Sequence, residues 1–79
     1  MLRFDWCVGP TGPFAEPEPA FRLYLFQMRG GWRWQISDHA GQTVDAGRCA
    51  PGRWQEAAEA AERAYMRLRS AAHVVSRSL

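Results

Sequence analysis

The chain has 79 residues, enough for one small domain over residues 1–79, and its formal net charge is only +2. All ten basic residues are arginine and no lysine or asparagine occurs, which indicates a GC-rich coding genome of a bacterium or phage. The sequence has no basic cluster typical of strong nucleic-acid binders, no signal peptide, and no apolar segment near the ~18 residues of a membrane span. We therefore expect a cytoplasmic protein with no membrane partner.

The first eight residues alternate in polarity, as a β-strand with one buried face does. Apolar residues fall on one side and polar residues on the other: Leu2, Phe4, Trp6 and Val8 against Arg3, Asp5 and Cys7. Residues 1–8 are therefore a candidate extra strand.

Residues 9–20 contain four prolines, Pro10, Pro13, Pro17 and Pro19. Proline has a fixed φ and no N–H to donate, so neither a helix nor a central strand is expected here. The segment is predicted to be an extended linker. The spacing of Pro10 and Pro13 also suits a proline-rich recognition ligand, which is the functional alternative.

An antiparallel sheet is predicted over residues 21–47, where two tight turns join three short strands. The first turn is Gly30-Gly31, a two-residue loop of the composition that type I′ and II′ turns require. This loop places Leu25 opposite Ile36.

The second turn, Asp38-His39-Ala40-Gly41, fits a type I turn followed by a left-handed glycine. It places Ile36 opposite Val44 and Trp34 opposite Ala46.

The two turns together assign every side chain of the sheet to one of two faces, because side chains alternate along a strand. The inner face, which we expect to be buried, comprises Phe21, Leu23, Leu25, Trp32, Trp34, Ile36, Val44 and Ala46. The outer face, on the other side of the sheet, comprises Arg22, Tyr24, Phe26, Met28, Arg33, Gln35, Ser37, Thr43 and Asp45.

A helix is predicted over residues 52–76, since apolar residues recur there at steps of three and four. The stripe consists of Trp54, Ala58, Ala61, Tyr65, Leu68, Ala72 and Val75. The fold class is therefore α+β: a three- or four-stranded antiparallel sheet with one C-terminal helix packed on the inner face.

No arrangement of residues indicates catalysis, a cofactor or a metal site. His39 and His73 have no partner at a metal-ligand spacing, and Cys7 and Cys49 match no metal motif. No nucleophile elbow, phosphate loop or metalloprotease motif is present. We therefore expect a protein that is not an enzyme. A disulfide between the two cysteines has no support in the sequence.

The outer face carries an unexpected apolar stripe, Tyr24, Phe26 and Met28, flanked by Arg22 and Arg33. A sheet with one solvated face should be polar there. Three explanations remain open: the N-terminal strand and Phe14 fold over the stripe, a second copy covers it in a homodimer, or another macromolecule docks on it. In the last case the partner-binding residues are Arg22, Tyr24, Phe26, Met28, Arg33 and Gln35.

The segment Gly31-Trp32-Arg33-Trp34-Gln35-Ile36-Ser37-Asp38, together with Gly47 and the helical run at residues 59–65, resembles the plant ethylene-response-factor class of DNA-binding domains. It is similar as well to the arm-binding domains of phage tyrosine recombinases. The resemblance implies three antiparallel strands with one packed helix. It also implies base recognition by Arg22, Arg33 and Gln35 on the outer face.

The residues themselves favour a small non-catalytic binding protein that occupies the surface of a macromolecular partner, most readily a protein. A short chain without catalytic motifs also fits a prophage or mobile-element product that inhibits a host or defence complex. The alternative is a DNA-binding accessory domain that uses the outer face.

Overall fold

The computed structural model describes residues 4–78 and the side chains of residues 4–71, so Leu2 and Arg3 lie outside it. The described chain forms β1 (Cys7–Gly9), β2 (Gly12–Glu18), β3 (Phe21–Met28), β4 (Gly31–Asp38), β5 (Thr43–Cys49) and α1 (Trp54–Ser78). The strands make one antiparallel sheet in the order β1-β2-β3-β4-β5, and α1 packs on its inner face. The predicted α+β class is confirmed, with five strands in place of three or four.

Residues 9–20 are not a linker, because most of them belong to β2. The strand tolerates proline because β1 pairs only with residues 12–14 and leaves the rest of that edge free. Pro17 lies in this free edge, at the point where the register with β3 shifts between Ala15 and Glu18. Prolines in sheets are confined to such edges and bulges.

The described part of the predicted N-terminal strand is shorter than expected, and the two rings that precede it pack on α1 instead of the outer face. Of the described residues before Pro10, only Cys7–Gly9 form a strand. The Phe4 ring meets the Tyr65 ring edge-on at 5.9 Å, and the Trp6 ring lies 6.3 Å from that of Trp54. The Trp6 indole also donates a 2.6 Å hydrogen bond to the Glu62 carboxylate.

The core lies between the inner face and α1. Its sheet residues are Leu23, Leu25, Trp34 and Ile36, and its helix residues are Ala57, Ala58, Ala61, Ala64 and Tyr65. Four alanines allow the helix axis to approach the large Trp34 ring closely. The predicted helical stripe is buried at Ala58, Ala61 and Tyr65 and half-buried at Trp54 and Leu68. The side chains of Ala72 and Val75 lie outside the described residues.

The turn between β3 and β4 is Arg29-Gly30, one position earlier than predicted. Met28 pairs with Gly31, and Leu25 therefore lies opposite Trp34 instead of Ile36. Gly30 has a φ of 84° and Arg29 has no positive φ, the combination that a type II turn requires. The predicted register was wrong by two residues, an even number, so every side chain of β3 and β4 stays on its predicted face.

The second turn forms as predicted, but the strand after it contains a bulge. Gly41 has a φ of 83°, and its N–H donates to the Asp38 carbonyl at 3.0 Å. Ser37 pairs with Thr43, whereas Ile36 pairs with Asp45, so Val44 is an extra residue. The bulge moves Asp45 to an inner-face position and Ala46 to the outer face, and both predicted assignments were wrong.

Candidate functional site

All six residues predicted to bind a partner lie on the outer face, and none of them is buried. Tyr24 pairs with Gln35 and Phe26 with Arg33 across β3 and β4, with Arg22 and Met28 at the two ends of the β3 row. The flanking strands enlarge this surface, because Phe14 of β2 pairs with Tyr24 and Arg48 of β5 pairs with Arg33. Sequence reasoning missed Phe14 and Glu16 as outer-face residues because their segment was taken for a linker.

Aromatic rings form the centre of the outer face. The rings of Tyr24 and Phe26 stack with centroids 6.2 Å apart and an interplanar angle of 25°. Phe14 lies beside Tyr24 in the neighbouring strand, and all three rings are half-buried. Met28 continues the row and exposes 47% of its surface. We call Phe14, Tyr24, Phe26 and Met28 the aromatic strip.

A fixed ion pair marks one end of the aromatic strip. The Arg22 guanidinium donates from Nη2 and Nε to Oε2 of Glu16, at 2.7 Å and 3.1 Å. It also donates to the Tyr24 hydroxyl at 3.4 Å and lies 6.0 Å from the centre of the Phe14 ring. The hydrogen bonds to Glu16 and Tyr24 raise the pKa of Arg22. An exposed pair adds little stability, so its main effect is to hold Arg22 in place.

The same end of the sheet contains an open groove with a volume of about 580 Å³. Its wall includes Tyr24, Phe26 and Gln35 from the outer face and Asp38 from the turn between β4 and β5. The Gln35 amide donates to the Ser37 hydroxyl at 3.3 Å, which orients it along β4. The groove therefore combines aromatic walls with hydrogen-bonding groups.

The opposite end of the outer face is basic. Arg33 and Arg48 are directly opposite each other on β4 and β5. Arg29, in the turn between β3 and β4, lines a small cleft of about 130 Å³ together with Arg48 and Met28. We call Arg29, Arg33 and Arg48 the arginine corner.

The rings of Phe4 and Trp6 do not cover the aromatic strip, since both pack against α1 on the other side of the sheet. Within the strip, the Phe14 ring has Arg22 over it and lies beside Gly9 of β1. Of the three explanations for the stripe, coverage by the N-terminal segment is therefore wrong for the side chains of Phe4 and Trp6. Phe14 extends the stripe sideways within the sheet and does not cap it. A second copy and a different macromolecule remain.

The groups with potential chemistry are dispersed. Cys7 and Cys49 are free thiols on β1 and β5, at opposite edges of the sheet, and His39 is exposed in a turn. The His73 side chain lies outside the described residues. Within the described part of the chain, no three His, Cys, Asp or Glu side chains come close enough to hold a metal ion.

Comparison of the chain with protein-family models, curated proteins and solved structures gave no significant match. Among the described residues, no helix has both the length and the apolar character needed to cross a bilayer.

Proposed function

We propose that this chain is a small non-catalytic binding protein that docks through its outer face onto a protein partner. The observation that carries the proposal is the partly exposed aromatic strip, bordered by fixed or clustered charges. Soluble domains seldom leave such a contiguous apolar row open to water unless it forms an interface.

The composition of the outer face suits protein recognition. Interface residues that contribute most to affinity are mainly aromatic or arginine and lie at the centre of the contact. Phe14, Tyr24 and Phe26 occupy that central position, while Arg22 and Arg33 stand at the margin. Charges at the margin speed and orient association more than they strengthen it.

A protein that acts by covering a surface needs no catalytic group of its own. We therefore extend the proposal to an inhibitor role: the chain would block a host or defence complex by occupying the surface that the complex uses. A prophage or mobile element is the expected genetic source of such a short chain. The gene neighbourhood is the observation that tests this extension.

The arginine corner supports a second candidate function, a DNA-binding accessory domain. Arg33 and Arg48 lie together on the outer face, and Asp45 is absent from that face because of the bulge at Val44. DNA binding of this kind would weaken steeply with salt through counterion release. The aromatic strip, which has no role in contacting phosphates, makes this the weaker candidate.

The test is affinity capture from bacterial lysate with the wild-type chain, Phe26→Asp and a matched control, Val8→Asp. Val8 is 83% exposed and lies away from the aromatic strip. We expect one partner to be captured by the wild type and by Val8→Asp but lost with Phe26→Asp. Equal capture by all three proteins would contradict docking through the outer face.

A further inference from the structure

We infer that the partner segment bound by the outer face carries acidic side chains, which lie against the arginine corner while its apolar side chains cover the aromatic strip. The inference rests on the proposed function and specifies the partner's chemistry. It follows from the positions of Arg29, Arg33 and Arg48 and from the absence of an acid to neutralise them.

The arginine corner concentrates positive charge at one edge of the apolar surface. Arg33 is opposite Phe26 on one side and Arg48 on the other, so a cation directly borders an aromatic ring. Arg29 and Arg48 line the same small cleft as Met28. A ligand on the aromatic strip therefore reaches the three guanidinium groups without crossing any other part of the surface.

The pairing of Arg33 with Arg48 is unfavourable in the unbound protein. Side chains directly opposite each other in an antiparallel sheet have Cβ atoms about 4.5–5.5 Å apart, and like charges in such positions repel. Among the described side chains, none forms an ion pair or a hydrogen bond with Arg29, Arg33 or Arg48. A bound carboxylate would remove this repulsion, which gives an acidic ligand an advantage over a neutral one.

The outer face of a second copy does not supply that acid. Glu16 is held by Arg22 at 2.7 Å. The Asp38 carboxylate accepts hydrogen bonds from the backbone N–H groups of Ala40 and Gln42, at 2.9 Å and 3.0 Å. Asp45 occupies an inner-face position opposite Ile36. Face-to-face pairing of two copies would leave both arginine corners without free carboxylates, so a different protein fits better.

An acidic protein segment also fits better than nucleic acid. At the other end of the strip, Arg22 is already paired with Glu16 at 2.7 Å. Apolar side chains from a protein can cover Phe14 and Met28, which a phosphate backbone cannot.

The test begins with selection of short random displayed peptides on the immobilised wild-type chain, followed by a synthetic copy of the most enriched peptide. We expect enriched peptides to combine Asp or Glu with aliphatic or aromatic residues. Replacing the acids of the synthetic peptide by their amides should weaken binding roughly tenfold or more. The same replacement should instead strengthen binding to an Arg33→Glu/Arg48→Glu variant, because it removes the repulsion between the peptide acids and the two new carboxylates.

Two further variants separate this inference from the proposed function. The single variant Arg48→Glu changes an exposed residue, and it replaces the double variant in the test if the double variant does not fold. Arg67→Glu, at an exposed position on α1, is the matched control for the change of charge. Enriched peptides without an excess of Asp or Glu would overturn the acidic partner, and so would equal binding of the acidic and amide peptides. The proposed function would still stand in either case if Phe26→Asp abolished the binding. Peptide binding that survives Phe26→Asp would overturn the proposed function itself.

Random duplex and single-stranded DNA are titrated in parallel across a salt series. We expect weak binding by the wild-type chain and still weaker binding by the Arg33→Glu/Arg48→Glu variant. Tight, salt-sensitive DNA binding that is lost in that variant but retained by Phe26→Asp would overturn the inference and favour the DNA-binding alternative.

Discussion

Gly47 on β5 lies directly beneath the indole ring of Trp34 on β4. The two residues pair across the strands, and a Cβ atom at position 47 would come within 2.6 Å of the Trp34 Nε1 atom. Only a residue without a side chain leaves room for the ring to lie across β5. The position of the largest core side chain of the sheet therefore depends on a glycine in the neighbouring strand.

Gly47→Ala should destabilise the fold by about 1–3 kcal/mol, the usual cost of inserting a methyl group into a packed site. Gly52→Ala is the control, since its Cβ would meet only the flexible Glu56 carboxylate, at 2.9 Å. That change should stay within about 0.5 kcal/mol of wild type. Urea unfolding measures both, and equal stability of the two variants would contradict the close approach of Trp34.

Trp34→Ala should cost about 3–5 kcal/mol, because the ring is 8% exposed and packs between the sheet and α1. The double variant Trp34→Ala/Gly47→Ala should be less destabilised than the sum of the two single changes, since without the ring the new methyl group has no clash. A loss below about 1 kcal/mol for Trp34→Ala would mean that this side of the sheet is not the core.

The sequence predicts the faces of β3 and β4 better than their register. Moving the turn from Gly30-Gly31 to Arg29-Gly30 shifts the pairing by two residues. Because side chains alternate between the faces with a period of two, this shift leaves the face assignments unchanged. The bulge at Val44 is different, because an odd shift exchanges the faces of Asp45 and Ala46. Nothing in the local sequence marks the bulge. Gly47 is the one indirect signal, since the bulge places it opposite Trp34.

Tyr65→Phe should leave stability at neutral pH unchanged or slightly higher. The Tyr65 hydroxyl is buried and makes no hydrogen bond of ordinary length among the described residues, although the Glu18 carboxylate is near enough to raise its pKa. Its removal therefore eliminates a poorly satisfied polar group. Denaturant unfolding at pH 7 tests this expectation. A loss above about 1.5 kcal/mol would mean that the hydroxyl makes a hydrogen bond.

At alkaline pH, the wild-type chain and Tyr65→Phe should differ in how their stability depends on pH. Burial, and secondarily the nearby Glu18 carboxylate, raise the pKa of Tyr65 above the value of about 10 for an unfolded tyrosine. The folded state therefore binds this proton more tightly, and the resulting stability is complete below pH ~10 and is lost as the pH rises further. Wild type should lose stability more steeply than Tyr65→Phe above pH ~10. Parallel curves there would contradict the shift.

Trp6→Phe should cost less than Trp6→Ala. The phenyl ring keeps part of the contact with Trp54 but loses the N–H that donates to Glu62, a loss of about 1–3 kcal/mol. Trp6→Ala loses both the ring contact and the hydrogen bond. Thermal unfolding of the two variants gives the order, and equal melting temperatures would show that the ring contributes nothing.

The isolated chain should be a monomer. The outer face offers no free acid to meet the arginine corner of a second copy, as the engaged Glu16 and Asp38 show. Light scattering at micromolar and higher concentrations should give the monomer mass. A dimer that dissociates on Phe26→Asp would show that a second copy covers the aromatic strip.

The candidate site was predictable in its centre and not at its margins. Tyr24, Phe26 and Met28 follow from the alternation along one strand, which needs no long-range information. Phe14 and Glu16 belong to the site because their segment forms strand β2. The prolines permit that strand only because β1 leaves most of the β2 edge unpaired, which is a property of the assembled sheet. Arg48 faces Arg33 only because of the bulge at Val44.

The order of the strands also determines how the chain can fold during synthesis. Every strand pairs with its neighbour in sequence, so the meander consists of local hairpins that close rapidly. Its inner face stays uncovered until α1 has been made, and the contact between Trp6 and Glu62, 56 positions apart, must wait until then. A nascent chain that ends before α1 therefore exposes apolar side chains on both faces of the sheet. That intermediate, and not the finished fold, is where aggregation or chaperone binding is most favoured.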